Sequence, residues 1–212
     1  MEKGLVIAVD GPAASGKGTI ARALAKHFDL PHMDTGLLYR AVALNLWRWG
    51  GDPSSEFEAL RAADNLGLDP DDPELRSEPV SKVASSVSAY PSVRAALLNR
   101  QQDFASQAGG AVLDGRDIGT VIAPDADVKL FVTASPEVRA ERRMKELQGR
   151  GINVHFDEVL ADIRARDERD SKRPVAPLKE APDAIHLDTS ELDVDQAIAE
   201  AIRLVEGQLA RA

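Results

Sequence analysis

The sequence predicts an α/β protein built on a parallel β-sheet with helices on both faces, and three observations carry that expectation. Short apolar runs recur along the chain: LVIAVD (5 to 10), AVLDG (111 to 115), VKLFVT (128 to 133) and AIHLD (184 to 188). They are continuous rather than alternating, which is how strands covered on both faces read. Between them lie stretches of helical spacing, at Ile20, Leu24 and Phe28, from Leu37 through Ala41 to Leu44, and at Val194, Ile198, Ile202 and Val205. Finally, the first run leads straight into the glycine-rich stretch DGPAASGKGT (10 to 19) and a helical pattern, the order in which a right-handed parallel crossover begins.

Length and composition narrow the choice further. At 212 residues the chain suits one main core with a smaller appended piece. With 43% hydrophobic and 29% charged residues, and no apolar run near the roughly 20 residues of a membrane helix, it reads as a soluble globular protein. The apolar stretch near the N-terminus is too short for a signal-peptide core, so a cytoplasmic location is expected. The absence of cysteine excludes disulfides and thiolate metal sites, and the histidines at 27, 32, 155 and 186 lack ligand spacing. A net charge of −9 argues against a broad nucleic-acid surface.

Charge is unevenly distributed. Residues 139 to 173 hold ten Lys/Arg against eight Asp/Glu, whereas residues 51 to 80 hold nine acids against two arginines, with prolines at 53, 70, 73 and 79. The acidic stretch reads as a solvated, loop-rich surface. The strand–helix alternation breaks from about 52 to 95, which predicts an inserted, mostly helical subdomain.

Gly11 to Lys17 fit the pattern G, four residues, then G-K, placed after a strand and before a helix as the motif requires. Glycines let consecutive backbone N–H groups converge on an anion, the helix adds its positive end, and Lys17 reaches the β and γ phosphates. An ordinary glycine-rich turn is the bland alternative; spacing, lysine and flanking elements together favour a grip on a nucleoside triphosphate. One departure stands out. Gly18 replaces the hydroxyl residue that usually follows the lysine and binds Mg²⁺, and the hydroxyl is displaced to Thr19.

What receives the phosphate is read elsewhere. The guanine-reading N-K-x-D of a GTPase is missing. Arg166, Asp170 and Arg173 fall at i, i+4 and i+7, which predicts one shared helix face, with Arg169 beside them, and Arg139, Arg142 and Arg143 repeat this at i, i+3 and i+4. Either set alone is a solvated helix with salt bridges; beside a phosphate-gripping loop they suit phosphoryl transfer, which needs cations on the transferred group and on the acceptor. DTGLLYRA (34 to 41) places Thr35 at a helix start and Arg40 about a turn and a half along, and LDGRDIGT (113 to 120) sets Arg116 between Asp114 and Asp117 at a strand end. Polar residues at the carboxyl end of a buried strand face the crevice where ligands bind.

Taken in order, GPAASGKGT, DTGLLYR, SAYPSVR, DGRDIGT and RARDERD followed by VAPL resemble the bacterial cytidylate kinases over nearly the whole chain. The resemblance implies a single P-loop kinase domain over 1–212 with a five-stranded parallel sheet, three layers, a nucleoside-monophosphate-binding insert near 36–105 and a short lid near 145–160. It implies transfer of the γ-phosphate of ATP to CMP or dCMP with Mg²⁺, with the metal's ligands unassigned. Gly11, Pro12, Ala13, Ala14, Ser15, Gly16, Lys17, Gly18 and Thr19 would cradle ATP, joined by Arg142 and Arg143 from the start of the lid. Arg40, Arg116 and Arg173 would hold the CMP phosphate, Arg166 and Asp170 the sugar, and Ser85, Arg94 and Asp117 the cytosine, with Thr35 beside them. Lys17, Arg116, Arg142 and Arg173 would act as electrostatic catalysts. The expected state is a monomer that binds neither membrane nor nucleic acid. Kinases for another nucleoside monophosphate or a small alcohol, and a slow ATP-hydrolysing switch, stay open as alternatives. Residues 66 to 82 show no alternating apolar run, so any antiparallel sheet in the insert is expected to be trimmed.

Overall fold

The computed structural model describes residues 4–211. Five strands, β1 (Val6–Asp10), β2 (His32–Asp34), β3 (Ala111–Gly115), β4 (Val128–Thr133) and β5 (Ile185–Asp188), form one parallel sheet in the order β2-β3-β1-β4-β5. Four of them are the apolar runs of the sequence. The fifth, β2, has only three half-buried residues, His-Met-Asp, and so carries no apolar signature. Beside it, Val112 N–H donates to the Pro31 carbonyl at 2.9 Å.

Strand register sets the ligand-facing edge. Asp10 pairs with Gly115 on β3 and with Phe131 on β4, so the turns leaving β1 and β3 depart side by side. β1 is buried along its whole length, as a central parallel strand must be. Ile7 and Val9 of β1, Val112, Leu130, Val132 and Leu187 pack on one face with Ile20 and Leu24 of α1 (Lys17–His27) and Ala201 and Val205 of α8 (Val194–Leu209). Each fully buried side chain of this size contributes about 1.5–3 kcal/mol of transfer free energy.

The chain divides into two compact units, one made of Met1–Met33 with Ala105–Ala212 and the other of Asp34–Phe104. In the first, α6 (Pro136–Gly149) and α7 (Phe156–Lys172) pair through Ala140, Leu147, Val159 and Ile163. Ser135 starts α6 by accepting from Val138 N–H at 3.3 Å, with Pro136 at the first helical position.

The second unit is helical, with α2 (Thr35–Arg48), α3 (Glu56–Asp64), α4 (Glu78–Val87) and α5 (Pro91–Ala105), and no strand among its described residues beyond Asp34. Its apolar centre comprises Leu38, Val42 and Leu46 of α2, Ala59 and Ala62 of α3, Leu75, and Val80, Ala84 and Val87 of α4. Asp34, Ser55 and Asp72 each cap a helical turn by accepting a backbone N–H. Residues 66 to 82 hold the helical turn Pro73–Arg76 and the start of α4, and no strand. Among the described residues no helix is long and apolar enough to cross a membrane.

Candidate active site

The turn after β1 is shaped by two positions that only glycine satisfies. A Cβ on Gly11 would stand 2.0 Å from the Val132 carbonyl oxygen, so the chain passes hard against β4 as it leaves the sheet. Gly16 adopts φ 90° as the cap of α1, and Ala14 also takes a left-handed backbone, at φ 58°. Alternating handedness of this kind folds successive N–H groups around a concavity that fits an anion. No side-chain hydrogen bond caps α1, so the positive end of the helix is left facing such a ligand. Lys17 Nζ curls back to the Pro12 carbonyl at 3.3 Å, which holds the ammonium over the loop.

Next to this loop lies a cavity of about 460 Å³ lined by Gly16, Thr19, Arg142, Arg143, Thr189 and Val194, among others. Its far wall, residues 189 to 194, escaped the sequence reading. The signal was there: TSELDV (189 to 194) follows the last strand and opens a helix, the position where parallel sheets bind ligands. Thr189, 1% exposed, donates its hydroxyl toward the carbonyls of Ser15 (3.1 Å) and Thr133 (3.0 Å) and accepts from Arg142 Nη1 at 2.9 Å. Arg142 also donates to the carbonyls of Thr189 (2.6 Å) and Leu192 (3.3 Å), binding the far wall to α6. Arg143 shares the cavity and pairs with Glu146 at 2.7 Å.

The stripe Arg139, Arg142 and Arg143 does not act as one patch. Arg139 is buried elsewhere, forked onto Asp167 at 2.9 and 2.5 Å and donating to the Ala134 and Ala13 carbonyls. It braces the loop from behind.

A second cationic group assembles beyond β3. Arg116 Nε donates to Asp170 Oδ2 at 2.9 Å, Arg166 Nε stands 4.0 Å from the same oxygen, and Arg173 Nη2 lies 3.5 Å from Asp117 Oδ1. Burial pushes the Asp170 carboxyl up, but Arg116, Arg166 and Arg173 together outweigh it and hold it below the usual carboxylate range. Three guanidiniums against two carboxylates leave the cluster positive. One expectation needs correcting: Arg173 does not share the helix face of Arg166 and Asp170. α7 ends at Lys172, and Arg173 is extended at φ −62° and ψ 144°. It is steered back by the carbonyl of Ala176, 2.6 Å from its Nε, while Leu178 N–H donates to the Asp170 carbonyl at 2.8 Å.

Asp114, 3% exposed at the end of β3, receives His32 Nε2 at 2.7 Å on one oxygen. Its other oxygen stands 3.6 Å from where a Cβ on Gly18 would lie. Among the described residues no group of three or more His, Asp or Glu side chains could hold a metal ion, so Asp114 would supply at most one oxygen to a Mg²⁺ arriving with ATP. Here too the sequence reading fell short, since it quoted Asp114 only as a neighbour of Arg116.

The remaining candidates belong to the second unit. Thr35 is the first residue of α2 and 3% exposed, and Arg40 Nη1 donates to the Leu75 carbonyl at 2.9 Å. Ser85 is buried on α4. Arg94 donates to the Ser88 carbonyl at 3.3 Å and stacks its guanidinium 5.4 Å from the centre of the Tyr39 ring.

A phosphate-gripping turn and a separate arginine cluster at neighbouring strand ends suit a kinase whose acceptor is itself anionic. The family model described as cytidylate kinase matches residues 7–207. The chain belongs to the cytidylate kinase family. It is 59% identical to a cytidylate kinase of Xanthobacter autotrophicus, covering 97% of this chain and 99% of that one. The cytidylate kinase of Methylocella silvestris is also 59% identical, over 95% of this chain and 94% of its own. Among solved structures, a sugar kinase from Janibacter sp. superposes with a TM-score of 0.51 at 16% identity, covering 96% of this chain and 95% of that one. A gluconokinase from Sinorhizobium meliloti gives 0.50 at 15%, covering 100% and 99%. These last two likenesses concern the fold alone.

Proposed function

We propose that this chain transfers the γ-phosphate of ATP to CMP or dCMP, giving ADP and CDP or dCDP, by direct in-line displacement. The observation that carries this reading is the pair of separate anion-binding constellations within one unit, the Gly11–Thr19 loop and the Arg116–Arg166–Arg173 cluster. A nucleotide-dependent switch needs only the first. Family membership supplies the nucleotide's identity.

The loop amides and Lys17 hold the β and γ phosphates, and the wall at 189 to 194 flanks the rest of ATP, with Arg142 and Arg143 beside it. Arg116 and Arg173, with Arg40, hold the CMP phosphate. Arg166 and Asp170 hold the sugar, while Asp117, Ser85 and Arg94 read the base, with Thr35 nearby in sequence to Arg40. An oxygen of the CMP phosphate forms the new bond to the γ-phosphorus as the bond to the β–γ bridging oxygen breaks. That oxygen is already anionic at neutral pH, so no general base is required, and the arginines lower the barrier by stabilising charge. Asp114, beside Gly18, would be the residue placed to approach a Mg²⁺ bound with ATP, which would add neutralisation of the ATP phosphates. Residues 36–105 form the acceptor-binding insert and 145–160 the lid, whose closure excludes water. The enzyme works as a cytoplasmic monomer.

A coupled ADP-release assay across the common nucleoside monophosphates tests this. CMP and dCMP should give the highest kcat/KM; a preference for AMP, GMP or a neutral alcohol would overturn the reading.

A further inference from the structure

Asp10, the last residue of β1, is a buried acid that neither anion-binding constellation uses. It is 5% exposed, and its two carboxylate oxygens each accept one backbone N–H, from Ile118 at 2.8 Å and from Gly119 at 2.7 Å. These amides open the wide turn Ile118–Ile122, whose own bonds run from Ile122 N–H to the Asp117 carbonyl and from Ala123 N–H to the Ile118 carbonyl. The first amide belongs to the peptide unit joining Asp117 to Ile118. Peptide units are planar, so anchoring both N–H groups fixes two consecutive planes. The ψ of Asp117, 25° with φ −144°, is thereby set, and with it the direction in which the Asp117 side chain leaves the backbone. One residue beyond Asp10, at Gly11, the phosphate loop begins.

We propose that Asp10 is a positioning residue for the acceptor: it locks the Arg116–Asp117 turn in register with the phosphate loop, so that recognition of the cytosine depends on a side chain that touches neither substrate. The inference rests on Arg116 and Asp117 binding CMP. The nearby cations are committed elsewhere, Arg116 to Asp170 and Lys129 to Asp183 at 2.7 Å, which leaves the two amides as the bonds that hold the carboxylate in place. An apolar residue would fill a core position more cheaply than an acid. Burial pushes this carboxyl up to about 6, opposed by the amides of Gly119 and Ile118. A group retained against that cost serves to hold geometry.

Two variants test the proposal through the split between substrates. Asp10→Asn keeps the shape but turns an N–H donor toward one of the two amides. Gly119→Ala leaves the carboxylate intact and crowds the contact from the other side, its Cβ falling 3.4 Å from Asp10 Oδ2 and 3.1 Å from Lys129 Cδ. The expected result is a rise in KM for CMP of at least tenfold in Asp10→Asn and at least threefold in Gly119→Ala, a narrower CMP:UMP preference, and KM for ATP within twofold of wild type. If Asp10→Asn does not fold, Gly119→Ala carries the test. KM values for CMP and ATP that move together, or not at all, in a folded variant would overturn the inference. A wild-type protein that fails to phosphorylate CMP would instead overturn the proposed function, so the two failures are distinguishable.

Discussion

Arg116 Nε stands 2.9 Å from Oδ2 of Asp170, an ion pair that ties the turn after β3 to the last turn of α7. The carboxylate is 5% exposed and the guanidinium 16%, so solvent does little to weaken the pair. Both residues stand in the proposed acceptor-binding set, and the carboxylate orients the guanidinium.

Replacing Asp170 with Asn keeps the shape and removes the charge that orients Arg116. Steady-state kinetics should show kcat/KM for CMP reduced at least tenfold, about 1.4 kcal/mol of transition-state stabilisation, with KM for ATP within twofold. Equal losses toward both substrates would assign the pair to folding rather than to the acceptor.

An ionised Asp117 can only accept hydrogen bonds, which matches the exocyclic amine of cytosine and opposes the O4 carbonyl of uracil. Asp117→Asn adds a donor at nearly the same shape. The CMP:UMP ratio of kcat/KM should narrow by roughly tenfold, within the 1–3 kcal/mol typical of a base-edge contact. Should both substrates weaken in step, Asp117 acts only through Arg173.

The Thr189 hydroxyl joins Ser15, Thr133 and Arg142 at the wall of the 460 Å³ cavity. Thr189→Val preserves volume and strands those partners, which costs about 1–3 kcal/mol of stability for buried groups left unsatisfied. Differential scanning calorimetry should register a lower Tm, and KM for ATP should rise severalfold while KM for CMP stays near wild type. An unchanged KM for ATP would separate this wall from the nucleotide site.

Asp10 gives the molecule a pH signature of known sign. Its folded-state carboxyl lies near 6 against an ordinary 3.8, raised chiefly by burial. The folded protein therefore holds this proton more tightly than the unfolded chain, and the stability so gained is present below the unfolded value and lost as pH rises through about 6. Between pH 4.5 and 7.5 the unfolding free energy of wild type should fall relative to Asp10→Asn by about 2 kcal/mol. Denaturant titrations of both proteins across that range would show parallel curves if the carboxyl titrated normally.

The sequence by itself determined the features that consecutive residues encode. Continuous apolar runs marked four strands, because a strand covered on both faces has no polar side to show. The phosphate loop was legible because its backbone conformations demand glycine at Gly11 and Gly16, and the chain has glycine there. The helical character of the 52 to 95 region followed from the break in strand–helix alternation. The short strand β2 left no such trace, since its three half-buried residues show neither period nor apolar run and its place depends on β3 beside it. Only tertiary structure decided that Arg139 turns away from Arg142, that Arg173 leaves the helix and is carried back by Ala176, and that residues 189 to 194 wall the cavity. The reach of Asp10 to Ile118, 108 residues away, belongs to the same group. Helical and strand periods act over a few residues, whereas the partner of a buried charge is chosen by strand register and helix ends, which exist only once the chain has folded.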